Sequence, residues 1–309
     1  MQKEKYYIYF HNDFDGYAGA AVIYDFLKKQ NKKISGFQIL DYEKYPTKKW
    51  EKEKFKDLPI ILDFRYHPKA YFWFDHHPTT FIKKEWKDNF KPTKFHYFDT
   101  SFKSCASLIV NKLQKEFNYK PNKFIKKLCY WGDIIDSANF KSPKETIDIN
   151  KPAYKIAIFL SKNHDKNLIW LIKAMSTKSL LQIANLNKIK NLIKKEKEIR
   201  KKALNFYYQN LKIYNNKLAF IDLTKTKFSL RYAPFYLAPQ IIYAFSLSKN
   251  KKYKISLGAN PWQKNKPCKN IGKFLQKFGG GGHKRVGGIE FSAKKEADKF
   301  IQKIIKEFS

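Results

Sequence analysis

The chain has 309 residues, 43% of them hydrophobic and 17% aromatic, enough for about two domains with cores of their own. Its 63 Lys and Arg against 27 Asp and Glu leave a net charge of +36, which favours polyanionic partners, nucleic acid foremost, although an AT-rich genome produces the same lysine excess. No uninterrupted apolar run approaches ~18 residues, which excludes a membrane-spanning helix, and Met1-Gln2-Lys3-Glu4-Lys5 carries neither the apolar region nor the cleavage site of a secretory signal.

In chain order, Tyr6-Tyr7-Ile8-Tyr9-Phe10 predicts a buried strand, and Gly16 to Lys29 a helix with Ala18, Ala21, Val22, Phe26 and Leu27 among its apolar residues. Ile34 to Leu40 is a weaker strand. Ile60-Ile61-Leu62 and Ala70 to Phe74 are short buried strands, and Lys94 to Phe98 is another. Thr100 or Ser101 is expected to cap a helix reaching Phe117, followed by a helix from Pro121 to about Tyr130. From about Ile147 to Asn215 the pattern is helical, with one long Lys-rich helix over Ile183 to Tyr214. Strands return at Leu218 to Asp222 and Tyr253 to Leu257. A helix over Ile271 to Phe278, a strand over Val286 to Phe291 and a helix over Lys294 to Phe308 complete the chain. The expected class is α/β. Residues 1–146 form a doubly wound, mostly parallel sheet, 147–216 a helical connector, and 217–309 a smaller α/β domain.

Aspartate and histidine gather where apolar runs end: His11, Asp13 and Asp15, then Asp63, then Asp75-His76-His77, then Asp133 and Asp136 after Trp131-Gly132. Aspartate is a poor strand former and costly to bury, so this repeated placement calls for a cation to offset it. Along an extended segment His11, Asp13 and Asp15 would point one way. Singly, each residue has a plainer use: Asp13 or Asp15 as a helix cap, Asp63 as a turn residue, the histidine pair as structural. Together they suffice for two divalent ions sharing a carboxylate. Carboxylate oxygens and imidazoles favour Mn²⁺ first and Mg²⁺ second. Cys105, Cys129 and Cys268 are too few and too scattered for a thiolate site or disulfides, and suit a reducing cytoplasm. Gly279 to Gly282, followed by His283, Lys284 and Arg285, reads as an anion-binding loop with exposed backbone N–H groups. His67, His96 and His164 read as structural or surface residues.

The order HxDxD, Asp, DHH, Asp resembles the DHH phosphoesterases, and Ile271-Gly272-Lys273-Phe274 with Gly279 to Gly288 resembles their associated GGGH substrate-binding domain. The resemblance spans about residues 5 to 295. It implies that His11 and Asp13 ligate one ion and Asp15 and His76 the other, with Asp63 bridging. It further implies that Asp75 orients His76, that His77 faces the substrate phosphate, and that Asp136 is the fourth-motif ligand with Asp133 as its competitor. Gly280, Gly281, Gly282, His283, Arg285 and Asn260 would bind substrate, with Arg231 a lesser candidate. The implied activity is two-metal hydrolysis of short single-stranded RNA or DNA or of small nucleotides, such as nanoRNA, 3′-phosphoadenosine 5′-phosphate and linear or cyclic dinucleotides. A RecJ-like single-strand exonuclease and a non-catalytic nucleotide-binding protein are the alternatives. Tyr17, Tyr66 and Trp262 are expected to stack bases. No membrane partner is expected, and the protein is read as a cytoplasmic monomer or homodimer.

Overall fold

The computed structural model describes residues 4–163, 166, 168–263 and 268–309, so His164 lies outside the described residues. The chain divides into two compact units, residues 1–139 with 150–193, and residues 140–149 with 194–309.

The first unit begins β1 (Lys5–His11), α1 (Phe14–Lys29), β2 (Lys33–Leu40), α2 (Thr47–Trp50), β3 (Leu58–Leu62), β4 (Phe72–Asp75), α3 (Lys84–Asp88), β5 (His96–Phe98), α4 (Cys105–Phe117) and α5 (Lys123–Asp136). Its five strands are all parallel in the order β2-β1-β3-β4-β5. This is a doubly wound order. The strand sequence reverses between β1 and β3, and ligands of such sheets bind beyond the strand carboxyl ends at that reversal. His11 ends β1 and Asp63 follows β3, so the two lie at the switch point.

Side-chain alternation sends each strand to both faces. Tyr9, Ile61 and Trp73 share one row and join Tyr45, Trp50, Phe64 and Tyr66 in an aromatic core. On the other face Leu62 underlies α1, where a methyl on Gly19 would lie 3.9 Å from it and 3.1 Å from Ile109 of α4. Helices α6 (Pro143–Ile147), α7 (Pro152–Ser161), α8 (Ile169–Thr177), α9 (Leu180–Ala184) and α10 (Asn187–Asn210) follow. Helices α7 and α8 pack against α1, and Leu168 N, just before α8, donates to the Tyr17 hydroxyl of α1, which is why residues 150–193 cohere with the first unit.

The second unit adds β6 (Lys212–Tyr214), β7 (Leu218–Asp222), α11 (Ala233–Leu237), β8 (Tyr243–Lys249), β9 (Tyr253–Ala259), α12 (Ile271–Gln276), β10 (Gly281–His283), β11 (Val286–Phe291) and α13 (Lys294–Phe308). These strands form a mixed sheet in the order β10-β11-β9-β8-β7-β6. Its core includes Phe245, Leu257 and Ile289 from the sheet and Phe300 and Ile304 from α13.

Three local expectations are corrected. Ser104, not Thr100 or Ser101, caps α4, accepting from Ser107 N. Helix α5 runs to Asp136 rather than Tyr130. The glycine run is not an open loop: Gly281 to His283 form a strand paired with β11, and Lys284-Arg285 is the turn of that hairpin. Glycine is required there because a Cβ on Gly282 would stand 2.3 Å from Val286 O, and one on Gly272 of α12 2.5 Å from Gly282 O.

Candidate metal centre

The residues at the tips of β1, β3 and β4 converge with the end of α5. His11, Asp13 and Asp63 bring one donor atom each within 4.8 Å of one another, as do Asp15, His76 and Asp136, and as do Asp63, Asp75, His76 and His77. The two oxygens of Asp63 face different neighbours. Oδ2 lies 3.6 Å from His11 Nδ1, and Oδ1 lies 3.7 Å from His76 Nε2 and 3.5 Å from His77 Nδ1.

The extended-segment expectation holds only for His11. Asp13 is the N-cap of α1, its Oδ1 accepting from Gly16 N at 2.9 Å while Oδ2 stays 3.0 Å from His11 Nδ1. Capping and grouping are thus two uses of one carboxylate. Asp15 sits in the first helical turn and is turned away to His76 and Asp136, with Oδ2 3.7 Å from His76 Nε2. Its Oδ1 also accepts from Ala106 N at 3.0 Å, at the start of α4.

Charge is concentrated here. Burial opposes protonation of His11, but Asp13 and Asp63 overbalance it and raise the pKa to about 11. Burial likewise works against His76, which Asp63, Asp15 and Asp136 bring to about 10. Burial disfavours the Asp13 anion, yet the cationic His11 and the Gly16 N–H hold its pKa at about 2. Asp15 is raised well above the carboxylate range by burial and by Asp63 and Asp136, and Asp63 is raised by burial and by Asp13. Burial, then Asp63 and Asp13, lift Asp136 to about 6.

Five buried donor atoms, His11 Nδ1, Asp63 Oδ1, Asp63 Oδ2, Asp75 Oδ2 and His76 Nε2, have no hydrogen-bond partner. All but Asp75 Oδ2 approach a neighbour at ion-pair distance without hydrogen-bond alignment. Native interiors seldom leave polar atoms so. Around an ion with donors at ~2.1 Å, adjacent ligands lie ~3 Å apart and opposite ones ~4.2 Å. The separations here, 3.0 Å for His11–Asp13 and 3.4 Å for His76 Nε2–Asp136 Oδ2, match that spacing. The donor set therefore fits divalent cations bound by oxygen and imidazole.

The supporting contacts correct one expected role. Asp75 does not orient the His76 ring: its Oδ1 takes the His76 backbone N–H at 2.8 Å and the His77 Nδ1 at 2.8 Å. The His76 ring is held by Phe102 O, 3.1 Å from Nδ1, which leaves Nε2 toward the carboxylates. Of the two aspartates at the end of α5, Asp136 joins the cluster, whereas Asp133 accepts from Ser104 Oγ at 2.6 Å and supports the α4 cap.

In the second unit, His283 is exposed on the hairpin with Gly281 and Gly282, and Gly280 is partly exposed. Arg285 Nη2 donates to Asn260 O at 2.6 Å. The Asn260 amide is fully engaged, donating to Ile241 O and accepting from Trp262 N, so it shapes its loop and is not free for a ligand. Arg231 lies 5.3 Å from the Tyr232 ring. Tyr17 and Tyr66 are buried in the first unit and offer no face for stacking, and Trp262 is edge-packed on Tyr232. His67 is buried among Trp50, Phe55 and Trp86, with burial lowering its pKa to about 4, and His96 bonds Ala70 O.

The motif reading misses Tyr42. It follows β2, whose Leu40 pairs with His11, and its ring lies 5.0 Å from the His11 ring. A signal for it exists in the sequence: an aromatic just beyond the carboxyl end of a strand neighbouring the first cluster.

No protein-family model and no curated protein matches the sequence. Solved structures do match the fold. The pGpG-specific phosphodiesterase PggH from Vibrio cholerae superposes with a TM-score of 0.77 at 18% identity, over 99% of this chain and 98% of that one. RecJ from Thermus thermophilus in complex with Mn²⁺ gives 0.55 at 12% identity, over 99% of this chain but only 52% of RecJ. An exopolyphosphatase-related protein from Bacteroides fragilis gives 0.50 at 15%, over 99% and 92%. At these identities the likeness is one of fold, and it is the fold that the DHH resemblance implies.

Proposed function

We propose that this chain is a metal-dependent phosphodiesterase that hydrolyses short oligonucleotides or small nucleotides. The observation that carries this reading is Asp63: a buried carboxylate with neither oxygen hydrogen-bonded, each oxygen turned to a different group of donors. His11 and Asp13 would hold one ion, Asp15, His76 and Asp136 the other, and Asp63 both, with Mn²⁺ first and Mg²⁺ second. Such ions polarise phosphoryl oxygens and lower the pKa of a bound water. In this assignment residues 1–146 are the catalytic domain and 217–309 the substrate domain, with Gly280 to His283 and Arg285 meeting the nucleotide.

The chain's own groups have distinct tasks. Phe102 O and Asp75 fix the two imidazoles, as outer partners of metal-binding histidines do. Because Asp75 accepts from His77 Nδ1, that nitrogen carries the proton and Nε2 is left for the substrate. The Asp75 hydrogen bond also raises the His77 pKa, which suits it to neutralise phosphate charge or to give a proton to the leaving oxygen. The net charge of +36 draws the polyanion in.

The test is a panel of dinucleotides, 3′-phosphoadenosine 5′-phosphate, cyclic dinucleotides, pyrophosphate and long single strands, each with Mn²⁺, Mg²⁺ or excess chelator. Hydrolysis of the short substrates is expected, lost with chelator and in Asp63→Ala and His76→Ala. Full activity after demonstrated metal removal ends the reading. Long strands cleaved faster per enzyme favour the exonuclease, and binding without turnover across the panel favours a sensor.

A further inference from the structure

Tyr42 is 37% exposed, unusual for a ring packed so closely on its neighbours. It stacks on buried Phe64 at 4.6 Å and 24°. Phe64 directly follows Asp63, and the His11 ring stands 5.0 Å from Tyr42 and 6.2 Å from Phe64. The Arg65 guanidinium lies 4.8 Å from the Tyr42 ring centre and 5.8 Å from that of Phe64, with Nη1 donating to Tyr45 O at 2.8 Å.

These distances locate the free face. A group above the outer face of Tyr42 would be separated from Phe64 by nearly the sum of the two spacings. Arg65 and His11 are both far closer to Phe64 than that, so neither lies directly opposite Phe64 across the Tyr42 ring. One face of the ring is occupied by Phe64. Among the described residues no aromatic or cationic group stands directly opposite Phe64 across the Tyr42 ring.

We infer that the outer face of Tyr42 is the stacking platform for the nucleobase next to the phosphate being cleaved. This rests on the proposed phosphodiesterase reading and deepens it by giving the site a base contact. Every base offers a π-face, so the platform is tolerant of base identity and selects nucleotides over phosphoesters without a base. Phe64 holds the ring from behind, and Arg65, anchored on Tyr45 O, packs its guanidinium 4.8 Å from the ring centre. Tyr42 also feels the carboxylates of Asp75 and Asp63, which, after burial, raise its hydroxyl pKa, consistent with the ring standing at the rim of the cluster.

The experiment compares a dinucleotide with the same compound made abasic at one position, in the full-length, metal-loaded protein. Tyr42→Ala should raise KM for the intact dinucleotide about tenfold or more, the scale of one lost base–aromatic stack, with kcat little changed and the abasic compound unaffected. Tyr42→Trp should restore the intact substrate. An equal effect on both compounds, or none on either, overturns the inference. A second readout is independent of turnover: fluorescence of a non-hydrolysable dinucleotide carrying 2-aminopurine. Quenching in the wild type that is lost in Tyr42→Ala and kept in Tyr42→Phe supports the platform even if no substrate is hydrolysed, the result that would sink the phosphodiesterase reading alone. Equal quenching in wild type and Tyr42→Ala overturns the platform, and so does an absence of quenching in both.

Discussion

The indole N–H of Trp73 donates a 2.9 Å hydrogen bond to the carbonyl of Phe64, the residue after Asp63. A second indole, that of Trp50, donates to Tyr66 O at 3.2 Å. Asp63 itself has φ of +56°, a left-handed conformation that aspartate tolerates better than most residues. The turn that presents the Asp63 carboxylate is thus unfavourable locally and is held from below by the aromatic core. The tryptophans that fill the core thus also fix the backbone beneath the carboxylate–histidine cluster.

Trp73→Phe keeps most of the buried ring and removes the donor, leaving Phe64 O unsatisfied in the interior. A loss of roughly 1–3 kcal/mol in stability is expected, with metal affinity weakened about 10–100-fold, the scale seen when outer supports of ligands are lost. Urea unfolding and metal titration measure both. Unchanged metal affinity in a destabilised variant would mean that Asp63 is held by other contacts.

Asp63→Asn removes a buried carboxylate whose pKa burial and Asp13 raise more than His11 and His76 lower it. Without metal at neutral pH, the variant should melt above the wild type, because the costly anion is gone. It should also lose most of the melting-temperature rise that Mn²⁺ gives the wild type. A variant less stable than the wild type in chelator would show that the carboxylate is supported without an ion.

How far this arrangement can be read from sequence depends on the residue. His11, Asp63, Asp75 and His76 are legible because polar residues at the tips of buried strands are costly without a purpose, and the parallel sheet brings those tips together. Membership of each group is not legible. Asp15 leaves the alternation because the helix begins at Phe14, which sends it to His76 instead of His11. Thr100, Ser101 and Ser104 are equal caps on local grounds, and the choice of Ser104 goes with a distant contact, Asp15 accepting from Ala106 N. Strand β8, Tyr243–Lys249, is absent from the expected elements although its alternation is visible in the sequence. The glycine run suggests conformational freedom, when close approach of α12 to the hairpin is what demands it.

Stability without metal should fall as pH rises. The unfolded Asp136 titrates near 3.8 and the folded one near 6, so the folded state binds more protons in that window and loses stability as pH climbs through it. His11 and His76, with folded values of about 11 and about 10 against an ordinary 6.5, act with the same sign above neutrality. An ion replaces those protons, so the stabilisation by Mn²⁺ should grow from pH 5 to pH 8. Proton release on binding should appear in calorimetry as a dependence on buffer ionisation enthalpy. Metal stabilisation that shrinks over this range would place the ion away from these residues.

Gly16→Ala isolates the turn between β1 and α1. A Cβ there would lie 2.1 Å from His11 O and 2.9 Å from His11 N, backbone atoms that cannot swing aside. Accommodating it must shift His11, at a cost of roughly 1–3 kcal/mol as in overpacked cores, and should remove the metal-induced rise in melting temperature. Gly258→Ala is the control, since a Cβ at that strand position meets nothing within 4 Å. It should be neutral or slightly stabilising by restricting the unfolded chain, with metal stabilisation intact. Equal effects of the two substitutions would mean that the steric demand at Gly16 is relieved by the loop and that His11 does not depend on it.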